Sequence, residues 1–295
     1  MIIVIVGPTG VGKTKLSIEL AKQYHAEIIN ADSMQVYKEL NIGTAKITEI
    51  EKENIPHHLF DICEVEDPYT VYDYQKDCRS VLDHLLTQNK NVIIVGGTGL
   101  YIKAALYNYK FKEEPELSTY DHLSNQQLVD QIKSYQIKPS AHINNRKRLI
   151  RELNKLENHL TTEKKGDQPL YDFHIIGLTT DRENLYNIIN DRVDNMIKNG
   201  LLTEVKTFYD RNIYPKSIQT GIGYKELYPY FRNEISLEEA IARIKKNSRH
   251  YAKRQYTFFN HQLPVKWFET NYQNFTETIA EIITYLENSK KEIPD

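Results

Sequence analysis

Residues 2–14 read IIVIVGPTGVGKT: five aliphatic side chains from Ile2 to Val6, then Gly7-Pro8-Thr9-Gly10-Val11-Gly12-Lys13-Thr14. The octet fits G-x-x-x-x-G-K-[ST]. In such a loop the glycines let successive backbone N–H groups wrap a diphosphate, the lysine bridges its oxygens, and the threonine hydroxyl ligates Mg2+. Leu16, Ile18, Leu20, Ala21 and Tyr24 follow at helical spacing. Strand, phosphate loop and helix in that order put a helix N-terminus against the bound anion. The motif specifies a phosphate compound and leaves open which one.

Two further apolar runs end in polar loops. Glu27–Ala31 stops at Asp32-Ser33-Met34-Gln35, and Val92–Val95 stops at Gly96-Gly97-Thr98-Gly99 before a helical pattern resumes over Leu100–Leu106. Strands alternating with helices predict a parallel sheet with crossover helices, with ligands beyond the carboxyl ends of the strands. All three loops are expected there. From about Phe111 the texture becomes charged, glutamine-rich and helical, with proline breaks at Pro115 and Pro139 and a polar stretch Thr161–Gln168. Phe173–Leu178 then returns as a strand, and helices are expected around Leu185–Lys198, Leu201–Tyr209, Leu237–Phe259 and Ile279–Leu286. The fold class is therefore α/β, a parallel sheet flanked by helices. Residues 1–110 and 171–295 form its core, and 111–170 are an inserted small helical domain.

Composition narrows the chemistry. Glycine is scarce, 12 of 295 residues, and six of the twelve sit in the loops at 7–12 and 96–99. Two cysteines, Cys63 and Cys78, without a CxxC pair argue against a disulfide scaffold or structural zinc and for a reducing, cytoplasmic setting. The apolar N-terminal run is too short and lacks the basic flank of a signal peptide, and no stretch reads as membrane-spanning. The formal charge is −2, yet residues 46–77 carry nine acids against three Lys/Arg, while 240–268 carry seven Lys/Arg and no acid. A polyanion partner would be met by that second segment.

Within the loops, Asp32 suits either Mg2+ support or a general base across the cleft; a carboxylate there also suits capping the turn that follows. Thr98 and nearby backbone donors could stand beside the same site, or the glycines could serve a tight strand-to-helix turn. His57–His58 lie on an extended segment, point opposite ways and have no third ligand at metal spacing. No N-K-x-D element appears, which disfavours a GTPase. On a helix, Arg243, Lys246, His250 and Lys253 fall on one stripe. With Tyr256, Phe258 and Phe259 adjacent, that stripe suits phosphate contact and base stacking on single-stranded RNA. A second basic run, His142–Arg151, lies in the insertion. The phosphate loop alone equally admits a small-molecule or nucleoside kinase with ATP in the loop, and the basic helix alone admits a non-catalytic RNA-binding module.

Taken together, GPTGVGKT at 7–14, DSMQVYKELNIGTAK at 32–46, PHHLFDI at 56–62, GGTGLYIKA at 96–104, RVDNMIKNGL at 192–201, IGYKEL at 222–227 and YAKRQ at 251–255 resemble the tRNA dimethylallyltransferase (isopentenyltransferase) family. The resemblance covers nearly the whole chain. It implies a P-loop core similar to nucleotide kinases that binds dimethylallyl diphosphate with Mg2+ through Thr14. It also implies a helical insertion that grips the anticodon stem-loop, and transfer of a five-carbon prenyl group to N6 of adenosine 37 in tRNAs that read codons beginning with U. Lys13, Thr14 and the loop amides from Gly7 to Gly12 would hold the diphosphate, and Arg192 would be its arginine. Asp32 would face the adenine amine as general base, with Thr98 near the reacting base. Ser33, Met34, Gln35, Lys253, Arg254 and Gln255 would contact tRNA. A cytoplasmic monomer is the family expectation. The chain departs from the family at Lys138–Asn145, where the motif is shortened, at Ile188, where the family has arginine, and at Thr257-Phe258-Phe259, where it has T-W-F.

Overall fold

Alternate side chains of the first strand enter different cores. Ile2, Val4 and Val6 face one side of the sheet and Ile3 and Ile5 the other, all nearly inaccessible to solvent. A strand covered on both faces is continuously apolar, because successive side chains point to opposite sides and each must be buried. The computed structural model describes residues 1–111, 120–158 and 166–291.

The strands are β1 (Ile2–Val6), β2 (Ala26–Asn30), β3 (His57–His58), β4 (Asn91–Val95), β5 (His174–Thr179) and β6 (Lys266–Glu269). They form one parallel sheet in the order β3-β2-β4-β1-β5-β6. The helices are α1 (Lys13–Tyr24), α2 (Val71–Thr87), α3 (Gly99–Leu106), α4 (Asn125–Ser134), α5 (Arg146–Glu157), α6 (Arg182–Lys198), α7 (Leu201–Asp210), α8 (Lys216–Thr220), α9 (Leu227–Phe231), α10 (Leu237–Gln262) and α11 (Phe275–Lys291). The predicted strands and helices are present with ends shifted by a few residues. The short strands β3 and β6 carry too little periodicity to be seen beforehand.

One sheet face packs on α2, α3 and the end of α10 through Tyr74, Leu82, Ile102 and Phe259. The other packs on α1, α6 and α11 through Leu16, Leu20, Ile189 and Ile282. A third core joins α6–α10 to the segment after β2, through Val36, Leu40, Val205, Phe208 and Tyr224. Helix α10 runs 26 residues from the Ser236 cap, whose side chain accepts from the Glu239 amide. It touches all three cores, because Ala240 and Ile244 enter the third, Ala252 the second and Phe259 the first.

The chain divides into two units, 110–167 and the remainder. Where the chain re-enters the larger unit, the Asn108 amide donates to the Gln168 carbonyl at 2.9 Å and the Leu170 amide to the Leu106 carbonyl at 2.9 Å. The smaller unit has its own core of Tyr120, Leu128, Ile132, Leu149 and Leu153. A Ser124–Gln127 capping box starts α4, and the Asn145 side chain caps α5. Pro139 lies between these helices, whereas Pro115 and most of the stretch 161–168 fall outside the described residues.

Candidate active site

Three loops leave the carboxyl ends of β1, β2 and β4, and all three line one cleft of about 810 Å3. The first starts α1 without a side-chain cap, since Gly12 is the cap residue. Gly10 and Gly12 hold φ of +91° and +95°, a left-handed backbone that costs an L side chain energy. Uncapped amides at a helix start favour negative charge nearby. Lys13 folds back over its own loop, donating to the Gly7 carbonyl at 3.0 Å and the Pro8 carbonyl at 2.7 Å. Burial and, after it, the neighbouring Arg192 guanidinium bring its ammonium down to about 7, against the opposing pull of the Asp32 carboxylate. Thr14 stands at the rim of the cleft.

The second loop is shaped by polar groups at the end of β2. Asn30 is buried; its Oδ1 accepts the Asp32 amide at 2.8 Å while its Nδ2 donates to the Asp32 and Leu59 carbonyls. Asp32 Oδ1 accepts the Met34 amide at 2.9 Å, so one carboxylate oxygen does cap the following turn, although no helix follows there. The second oxygen makes no hydrogen bond among the described residues. It lies 3.8 Å from where a β-carbon on Gly97 would stand, on the cleft wall. Both readings of Asp32 are thus compatible, one for each oxygen.

The third loop meets the second. Thr98 Oγ1 accepts the Ser33 amide at 3.0 Å and donates to Ser33 Oγ at 3.2 Å. Its hydroxyl is spent on holding the Asp32 loop, and Gly96 and Gly97, not Thr98, form the cleft wall there. Gln255 on α10 is 5% exposed; its Nε2 donates to the Gly97 carbonyl at 3.0 Å, and its Oε1 is buried without a partner. Tyr251, one turn earlier on the same face, also lines the cleft, with the Arg254 guanidinium 5.5 Å from its ring centroid. Burial pushes the Tyr251 hydroxyl up and the Asp32 charge adds to this, while Thr98 and Gln255 oppose.

Arg192 on α6 also lines the cleft. Its Nη2 donates to the Thr44 carbonyl at 3.3 Å, and burial lowers its pKa against the pull of Asp32. The same carbonyl accepts Gln35 Nε2 at 3.1 Å. Arg192, Lys13 and Asp32 are therefore near enough to feel one another's charge. Lys13 and Arg192 beside the Asp32 carboxylate suit a polyanion next to one carboxylate.

Helix α10 divides its basic residues by face. Lys246, His250 and Lys253 lie on its outer side with Arg243, as the stripe requires, though Arg243 pairs with Glu239 at 2.7 Å. Lys245 and Arg249 turn inward to Asp194 and Asn190 of α6. The aromatic half of the expectation fails. Phe259 is fully buried, Phe258 packs on Gly99, and Tyr256 lies tilted against Trp267 with its hydroxyl bonded to Thr179 Oγ1, because the sheet claims that face of the helix. The ring that does face the cleft is Tyr251, legible only as the residue four before Gln255 on one helical face. His58 Nε2 meets Glu27 at 2.7 Å and His57 Nδ1 meets the Ile55 carbonyl at 2.7 Å.

A family model for IPP transferase matches residues 35–262. The tRNA dimethylallyltransferase of Anoxybacillus flavithermus is 46% identical over 97% of this chain and 96% of its own length. The crystal structure of the full-length tRNA isopentenylpyrophosphate transferase of Bacillus halodurans superposes with a TM-score of 0.76 at 38% identity, covering 98% of each chain. A eukaryotic dimethylallyltransferase solved acting on tRNA gives 0.80 at 28% identity, over 99% of this chain and 80% of that one.

Proposed function

The chain belongs to the IPP transferase family, and from that premise we propose that it transfers a dimethylallyl group from dimethylallyl diphosphate to N6 of adenosine 37 in tRNA. The observation that carries the chemistry is the meeting of Lys13, Arg192 and Asp32 in one cleft. The substrates are tRNAs reading codons that begin with U, and the product is the N6-dimethylallyl adenosine.

The diphosphate binds the amides of 7–14. Lys13 exchanges its two loop carbonyls for phosphate oxygens, and Arg192 reaches the same group. Among the described residues no group of three or more acidic, His or Cys side chains could hold a metal. Mg2+ would therefore be carried by the Thr14 hydroxyl and the diphosphate itself, a donor set that suits an ion retaining several waters. When bound, it neutralises charge on the leaving group.

Adenine N6 is a weak nucleophile because its lone pair is delocalised into the ring. Asp32, fixed through one oxygen by the Met34 amide, accepts an N6 proton with the other as N6 bonds to the allylic carbon. The carbon–oxygen bond breaks with its electron pair leaving on the diphosphate, where Lys13, Arg192 and the loop amides stabilise the growing charge. Thr98 acts by holding the Asp32 loop through Ser33. Ser33, Met34 and Gln35 on one side, and Arg254 and Gln255 on the other, flank the extruded base, while Lys253 on the outer side of α10 contacts the adjoining RNA. Unstacking that base costs a few kcal/mol, which RNA binding by α10 and by the 110–167 unit offsets. A cytoplasmic monomer is sufficient for this reaction.

The test is incubation with Mg2+, dimethylallyl diphosphate and an anticodon stem-loop carrying adenine at the target and both flanking positions. Mass analysis should show one prenyl unit on the target adenosine alone. No mass gain would overturn the reading, and rapid RNA-independent ADP formation from ATP would favour a kinase instead.

A further inference from the structure

We propose that Glu204, on the first turn of α7, is a positioning residue for the diphosphate site, acting through the 41–45 loop on Arg192. The inference rests on the prenyl-transfer reading of that site. The carboxylate of Glu204 is used on every side. Oε2 accepts the amides of Asn41 at 3.1 Å and Ile42 at 2.7 Å, and Oε1 accepts the amide of Gly43 at 3.1 Å and the Tyr224 hydroxyl at 2.6 Å. Three consecutive amides turned onto one anion form a nest, an arrangement with an inherent affinity for negative charge.

The loop so held presents its next carbonyls to the cleft. Thr44 O takes Arg192 Nη2 at 3.3 Å and Gln35 Nε2 at 3.1 Å, and Ala45 O takes the same Gln35 nitrogen at 3.4 Å. One short turn is therefore gripped by Glu204 on one side and positions Arg192 and Gln35 on the other. The Tyr224 ring fills the space beside Gly43, where an added β-carbon would stand 2.6 Å from ring atoms. That ring is fully buried, so the backing of Glu204 does not yield.

No other protein acceptor holds the Arg192 guanidinium among the described residues, which makes the Thr44 carbonyl the point through which Glu204 reaches the diphosphate. Charge matters as well as shape. A glutamine at 204 would offer one acceptor oxygen and turn an NH2 group toward the donors that Oε1 now receives.

The test is a double-mutant cycle on binding of a dimethylallyl diphosphate analogue with sulfur in the bridging position, in Mg2+. It uses the full chain with Glu204→Gln, Arg192→Gln and both. Loss of charge-assisted hydrogen bonds predicts that Glu204→Gln weakens analogue binding about tenfold or more. In the Arg192→Gln background the same change should cost less than about threefold, since coupled residues are non-additive. A purely structural role would cost the same factor in both backgrounds and would overturn the proposal, as would wild-type affinity in Glu204→Gln. If Glu204→Gln does not fold, Tyr224→Phe, which removes one of the four hydrogen bonds, replaces it in the cycle. Its expected loss is smaller, about threefold, and should vanish without Arg192. Wild-type product formation is measured in parallel. Its absence condemns the transferase reading, whereas product with an additive cycle condemns only the role of Glu204.

Discussion

Raising the pH should weaken donor binding through Lys13. In the free protein, burial and the Arg192 charge bring this ammonium to about 7, and it rests on two backbone carbonyls. A trianionic diphosphate arriving between Lys13 and Arg192 favours the charged form, so the pKa rises on binding. The group is depressed when free and raised when bound. Below about pH 7 it is protonated in both states and contributes no pH dependence. Above that, binding must take up a proton, and the dissociation constant rises tenfold per pH unit until the bound-state pKa is reached.

If the bound lysine regains an ordinary value of about 10.4, affinity at about pH 9 is roughly 50-fold below that at pH 7, or about 2.3 kcal/mol. Titration calorimetry with the sulfur-bridged analogue, in two buffers of different ionisation enthalpy, measures both the affinity and the proton uptake. Uptake should approach one proton per analogue near pH 8 to 9, and Lys13→Arg should abolish it, because guanidinium stays charged throughout. A flat affinity with no uptake in the wild-type protein, or the same slope in Lys13→Arg, would refute the argument.

Three other outcomes follow from the site. Asp32→Asn keeps the cap on the Met34 amide but cannot accept a proton; turnover should fall about 10²–10⁴-fold with stem-loop affinity nearly unchanged, measured by single-turnover kinetics and filter binding. Replacing Lys253 and Arg254 by glutamine should weaken stem-loop binding and flatten its dependence on salt by up to about 0.7 for each phosphate no longer neutralised, leaving analogue affinity intact; an unchanged slope counts against α10 as the RNA face. Gly97→Ala would set a β-carbon 2.2 Å from Gln255 Nε2 and break its bond to the Gly97 carbonyl. Urea unfolding should then show a loss of about 1–3 kcal/mol from the stranded polar groups.

The legible parts of the molecule were those whose physics is local. The P-loop could be read because left-handed glycines, a lysine and a helix start must be contiguous to wrap a phosphate. β1, β2, β4 and β5 could be read because a strand buried on both faces is apolar throughout. Asp32 was visible as a polar residue where such a strand ends, and the charge contrast between 46–77 and 240–268 required only counting.

Which way a helix faces is a tertiary matter, and there local reading misassigned Tyr256, Phe258 and Phe259, which the sheet claims. Thr98 was expected near the reacting base, and only the fold shows its hydroxyl bonded to Ser33, more than sixty residues away in sequence. Glu204 lies outside every motif read in the sequence, and Tyr224 and Thr44 lie inside motifs that gave them no role. The meaning of Glu204 and of the Thr44 carbonyl comes from hydrogen bonds that close across more than a hundred residues of chain, and a backbone carbonyl carries no residue type to read. By itself the sequence determined which loop has the glycines, lysine and helix start that can wrap a phosphate, since such a loop uses only its own backbone. Tertiary structure alone decided that Lys13, Arg192 and the second oxygen of Asp32 meet in one cleft, because those directions are set by packing between segments that sequence order keeps apart.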